Sequence, residues 1–129
     1  MDFGLDRETE ALRERVWAFL EEAVIPREVE VARDLTRLEA VTQELQREAR
    51  ARGLFLPHLP KELGGLGLSW TQLAVVLEEA GRSLLGPRAL NAAAPDEGNM
   101  HLLHKVASPE QKRRYLEPLA AGEVRSASP

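Results

Sequence analysis

Apolar residues recur at spacings of three, four and seven along nearly the whole of this 129-residue chain, and nowhere do they alternate long enough to make a strand. That pattern restricts the fold to packed helices. The first stripe is Leu5, Leu12, Val16, Phe19, Leu20 and Val24. Asp6 stands where an N-cap belongs, and Glu8 and Glu10 favour the positive end of the helix dipole. Pro26 interrupts the stripe because the residue before a proline is pushed out of the α region, and a short continuation with proline at its start reaches Arg33.

Leu38, Val41, Leu45 and Ala49 define the next helix, closed by Gly53. Its other face, with Arg37, Glu39, Glu44, Arg47, Glu48, Arg50 and Arg52, reads as a solvated surface laced with ion pairs. Between Leu54 and Leu68 the periodicity fails, and prolines and glycines stand among apolar residues. This is the pattern of a loop packed down on the core. Gly64, Gly65 and Gly67 match no phosphate-binding fingerprint, since no strand precedes them and no Gly-Lys-Ser/Thr follows; positive φ angles and close backbone approach account for them.

Ser69 with Gln72 reads as a capping box. The helix behind it is expected to bury Leu73, Val76, Leu77, Ala80 and Leu84 and to stop at Gly86-Pro87. The alanine-rich stretch from Arg88 to Pro95 fits either helix or loop. A further helix starts near Asp96, itself read as an N-cap, and carries Met100, Leu103 and Val106. Ser108-Pro109-Glu110-Gln111 is a second capping box, opening a helix through Ala120 that Gly122 closes. The expected fold is therefore all-α: an antiparallel bundle of five to six helices.

One domain fits the length, and 43% hydrophobic with 29% charged residues is a globular composition. A net charge of −4 gives no field to attract phosphate backbones, so no nucleic-acid partner is expected. The absence of cysteine excludes disulfides, thiolate catalysis and thiolate metal sites. The charged N-terminus has no signal-peptide apolar region and no segment is long enough to span a bilayer, so the expectation is cytoplasmic. Glu97, His101 and His104 share a helix face, but no other helix supplies the histidine that a two-metal bundle site needs; they read as surface or interface side chains. His58 sits in the apolar loop without a partner visible in sequence. From these patterns alone no catalytic residue and no metal ligand emerges.

Specific runs carry more. Leu59-Pro60-Lys61-Glu62-Leu63-Gly64-Gly65-Leu66-Gly67-Leu68-Ser69, followed by Val76-Leu77-Glu78-Glu79-Ala80-Gly81-Arg82-Ser83, resembles the N-terminal helical domain of acyl-CoA dehydrogenases. Ala94-Pro95-Asp96-Glu97-Gly98-Asn99-Met100 resembles the family's helix start beside the acyl pocket. Ser108-Pro109-Glu110-Gln111-Lys112 with Tyr115-Leu116-Glu117-Pro118-Leu119-Ala120-Ala121-Gly122-Glu123 resembles a fourth family stretch. All four lie in family order and cover nearly the whole chain.

The resemblance implies a helical domain over residues 1–125, with 126–129 as a tail where a β-domain would begin. It implies α,β-dehydrogenation of acyl-CoA thioesters with FAD, the flavin-holding strands and the catalytic carboxylate lying in the β-domain and the C-terminal helical bundle. The N-terminal domain walls one side of the acyl cavity, which would place Ala93, Ala94, Glu97, Asn99 and Met100 at the substrate. The expectation for these 129 residues alone is no FAD binding, no catalytic or cofactor-binding residue, no activity and acyl-CoA as substrate only with the other domains. The alternative is a helical interaction module. In both cases an apolar face would stand uncovered, predicting a homodimer or higher oligomer.

Overall fold

A computed structural model describes residues 3–127, and among them every regular element is helical. Among the described residues there are six runs that contain α-helix. The first is α1 (Arg7–Phe19), which passes through a wide turn (Leu20–Val24) and a tight turn (Ile25–Arg27) into α2 (Glu28–Arg33). Then come α3 (Leu38–Ala51), α4 (Trp70–Ala80), α5 (Gly86–Ala89) and α6 (Asp96–Val106). The last run is α7 (Pro109–Gln111), a second wide turn (Lys112–Leu116) and α8 (Glu117–Ala121). The expected all-helical bundle is the observed one.

The caps follow the local chemistry. Asp6 accepts the Thr9 backbone N–H at 2.7 Å, and both expected capping boxes, Ser69/Gln72 and Ser108/Gln111, are closed in each direction. Pro26 does not stop the first run; its ring occupies the first tight turn after α1, where the missing N–H is not needed. α1 packs on α4, and α3 on α5. Leu12, Val16, Phe19, Leu20 and Val24 form the buried stripe of the first run, joined by Val41, Leu45, Ala49, Val76, Ala80 and Leu116.

Three apolar positions fall outside the expected pattern. Leu5 precedes α1 and is exposed. α4 ends at Ala80, with Gly81 as its cap, so Leu84 lies in the following turn and is 94% exposed instead of buried. Val106, the last residue of α6, is exposed as well. Leu5 and Leu84 lie beyond the helices whose apolar spacing they continue, and Val106 sits in the last turn of its helix, where no neighbour covers it.

The apolar loop is packed down as expected. Leu54, Phe55, Leu56, His58 and Leu59 are all buried, and Leu56 donates its N–H to the Leu90 carbonyl and accepts at its own carbonyl from the Leu66 N–H. Gly64 and Gly67 have positive φ, while Gly65 meets the chain closely: a Cβ there would lie 2.0 Å from the Leu59 carbonyl oxygen. The charged face of α3 is ion-paired through Arg27–Glu44, Arg52–Glu48 and Arg88–Glu39. Arg50 departs from that pattern, stacking on the Phe55 ring with its guanidinium carbon 3.8 Å from the centroid.

Candidate functional site

The segment before α6 and the first turns of that helix are fixed by polar contacts with the end of the chain. Asn91, buried and with φ of 55°, donates from Nδ2 to the Leu119 and Ala120 carbonyls at 3.0 and 3.2 Å. The Ala94–Pro95 peptide is cis, and α6 begins directly after it. Asp96 is not the N-cap expected from sequence; that place belongs to Pro95. Its carboxylate, 1% exposed, points instead toward the C-terminal segment. It accepts from the Ser126 N–H at 2.8 Å, the Ser126 hydroxyl at 2.6 Å and the Arg125 Nε. A cap can satisfy only its own helix, whereas here one carboxylate ties residues 125 and 126 to α6. Ser128 and Pro129 of the expected tail lie outside the described residues.

The five side chains expected at the substrate do not converge on one cavity. Asn99 donates to the Ser126 hydroxyl at 2.8 Å and lines an open apolar cavity of about 560 Å³ with Leu102, Leu103, Tyr115, Pro118 and Val124. Met100 turns the other way, is fully buried, and places Sδ 3.3 Å from His58 Nε2. Glu97 lies beside His101, with Oε1 3.1 Å from Nε2. Ala93 is half-buried and Ala94 exposed at the entry to α6. Periodicity had no means of separating Asn99 from Met100, since adjacent residues on a helix point about 100° apart and the partners of each are distant in sequence.

His58 was missed as a functional candidate. Burial, and secondarily the proximity of His101, lowers its pKa from 6.5 to about 4, so its imidazole is neutral at neutral pH. The His58 and His101 rings lie 5.5 Å apart in an edge-on arrangement, and Trp70 leans over His101 at 6.2 Å. A second open groove, about 540 Å³, runs past Phe55, Leu56, Leu63, Leu66 and Leu116 beneath the Arg50 guanidinium.

The chain matches the family profile described as acyl-CoA dehydrogenase, N-terminal domain, over residues 6–123. The chain belongs to the acyl-CoA dehydrogenase family. Acyl-CoA dehydrogenase family member 11 of Mus musculus is 34% identical over 96% of this chain and 17% of its own length. FadE2 of Mycobacterium tuberculosis, assigned as an acyl-CoA dehydrogenase, is 35% identical over 98% of this chain and 32% of its own length. A solved Mycobacterium abscessus structure, assigned likewise, superposes with a TM-score of 0.85 at 36% identity, over 95% of this chain and 34% of the other. The chain therefore spans between 17% and 34% of the length of these acyl-CoA dehydrogenases.

A flavin dinucleotide is implied by the family resemblance, and the starts of α1, α4, α6 and α7 offer its diphosphate no open site. Its diphosphate needs free N–H donors, yet Asp6, Ser69 and Ser108 already cap the starts of α1, α4 and α7. The first turn of α6 carries Asp96 and Glu97, which repel an anion. Among the described residues no helix is long and apolar enough to cross a membrane.

Proposed function

We propose that this chain acts as the N-terminal helical domain of an FAD-dependent acyl-CoA dehydrogenase, forming one wall of the acyl cavity while other domains supply flavin and base. The observation that carries the reading is the match over residues 6–123 together with the superposition of 95% of the chain on a solved relative. The reaction class removes an α-proton and transfers a β-hydride to the flavin, so it requires a base and a bound cofactor at the thioester. The role assigned to the present residues is positioning: Ala93 and Ala94 leave room at the end of the acyl chain, Asn99 faces the cavity from α6, Glu97 stands on the same helix, and Met100 supports that helix from its buried side.

Support for the wall comes from the cavity beside Asn99, which is apolar and open on one side. The same face supports the second reading, a partner-binding or self-associating module. Leu102, Tyr115 and Val124 line it and are all about half exposed or more, and Val106, on the same helix as Leu102, is exposed too. A homodimer that buries these side chains would sediment at twice the monomer mass, and Leu102→Lys would return it to monomer.

Titration of FAD into the 129-residue chain, followed by flavin fluorescence and visible absorption, tests the first reading. The expected outcome is an unchanged flavin spectrum. Stoichiometric binding would place the cofactor in this domain and overturn the division of labour proposed here.

A further inference from the structure

The open cavities of this domain differ in the charges on their walls. The groove beneath Arg50 is also lined by Glu62 and Glu117, and a depression beside Trp17 by Glu10, Glu14 and Glu79. The cavity beside Asn99 is lined by Arg114 and Arg125 and by no carboxylate. This runs against the chain as a whole, whose net charge is −4, because residues 105–127 carry five lysines and arginines against three acids. An apolar cavity with cations on its wall, in an otherwise acidic domain, suits an anionic ligand.

The two arginines are not equivalent. Arg125 gives its Nε to the buried Asp96, so its charge is met within the protein. Arg114 places its guanidinium carbon 5.3 Å from the Tyr115 ring centroid, and among the described residues no carboxylate pairs with it. Its donors therefore stand at the cavity unmatched. Leu102, Leu103, Pro118, Leu119 and Val124 supply the apolar remainder. The wall is preformed, since the segment that carries Val124 is tied to α6 through Ser126, Asp96 and Asn99. A volume of about 560 Å³ falls within the range of small-molecule sites. A guanidinium takes a carboxylate through two parallel N–H donors, so one ligand with an acid head and an aliphatic tail satisfies both parts of the wall.

We propose that this cavity binds a medium-chain aliphatic carboxylate, its acid on Arg114 and its tail along Leu102, Leu103 and Val124. Binding uses only side chains of this chain. Its regulatory consequence rests on the dehydrogenase reading above: a free fatty acid seated there competes with the acyl thioester for the same wall.

The test is an NMR titration of the 129-residue chain, carrying 13C-methyl leucine and valine, with octanoate and, separately, with octan-1-ol at neutral pH. Octanoate is expected to saturate one site, moving the Leu102 and Val124 methyls and the ring signals of Tyr115, the chain's single tyrosine. It is expected to bind at least tenfold more tightly than octan-1-ol. Arg114 is exposed, so Arg114→Gln leaves the core intact; it is expected to cut that preference at least fivefold while the octan-1-ol affinity stays the same. No saturable octanoate binding, equal affinity for the acid and the alcohol, or methyl shifts confined to Leu63 and Leu66 of the other groove would overturn the proposal. So would a preference that survives Arg114→Gln. No flavin enters this experiment, so its failure is distinct from failure of the dehydrogenase reading.

Discussion

Asp96, at the first position of α6, holds Arg125 by a carboxylate–guanidinium contact, joining two residues 29 positions apart. The carboxylate is buried while the arginine side chain is 35% exposed, so the contact closes one end of the bundle at the surface. Ser126 adds its N–H and hydroxyl to the same carboxylate and accepts from Asn99. The course of residues 125 and 126 is thereby set by the helix that carries Glu97, Asn99 and Met100.

Replacing Asp96 by Ala removes the acceptor for three donors at once, and is expected to cost about 2–3 kcal/mol. Urea denaturation measures the loss. Amide exchange at residues 124–127 should rise by more than the global loss of stability accounts for, because the segment has lost its anchor.

The acid sensitivity of the fold should centre on His58. Its folded pKa of about 4 lies below the ordinary 6.5, so the neutral form is the one the fold favours. This contribution is fully present above pH 6.5, declines as the pH falls through the window between the two values, and is lost below about 4. The loss across that window is about 3 kcal/mol. Denaturation at pH 7 and pH 4.5, comparing the wild-type chain with His58→Asn in metal-free buffer, should show a shallower pH dependence in the variant. Equal dependence would assign the effect to other groups.

Much of this architecture could be read from the residues, and the failures have a common cause. Capping boxes at Ser69 and Ser108, the stripe from Leu12 to Val24 and the glycine-rich loop are local features, decided within a few positions. Leu84 was misplaced because apolar spacing continues past Gly81, where the backbone ends the helix. The function of Asp96 was hidden because an acid at a helix start looks like a cap, and its true partners lie about 30 residues away. His58 was hidden for the same reason: Met100 is 42 positions distant, and nothing local marks the contact.

Gly65→Ala tests the close approach in the loop. The new methyl would sit 2.0 Å from the Leu59 carbonyl oxygen, a backbone atom that cannot rotate aside. A loss of more than about 2 kcal/mol is expected by thermal or chemical denaturation, against a gain of up to about 1 kcal/mol for Gly98→Ala, which lies within α6 where the space is open.

Removing the capping oxygen in Ser69→Ala is expected to cost about 1 kcal/mol, since it frees the Gln72 N–H and undoes half of a reciprocal pair. Ser69→Asp should retain most of that stability. The two variants together separate the cap from any effect of the neighbouring Trp70.

The central claim is that this chain can serve as the N-terminal wall of an acyl-CoA dehydrogenase. It is tested most directly by replacing the matching third of FadE2 with these 129 residues and assaying acyl-CoA oxidation over a series of chain lengths. The account predicts an FAD-loaded, active chimera whose KM for the longest substrates rises at least fivefold with Ala94→Phe, while kcat for short ones is retained. A folded, FAD-loaded chimera with no activity toward any acyl-CoA, or with a chain-length profile indifferent to Ala94→Phe and Asn99→Leu alike, would contradict it.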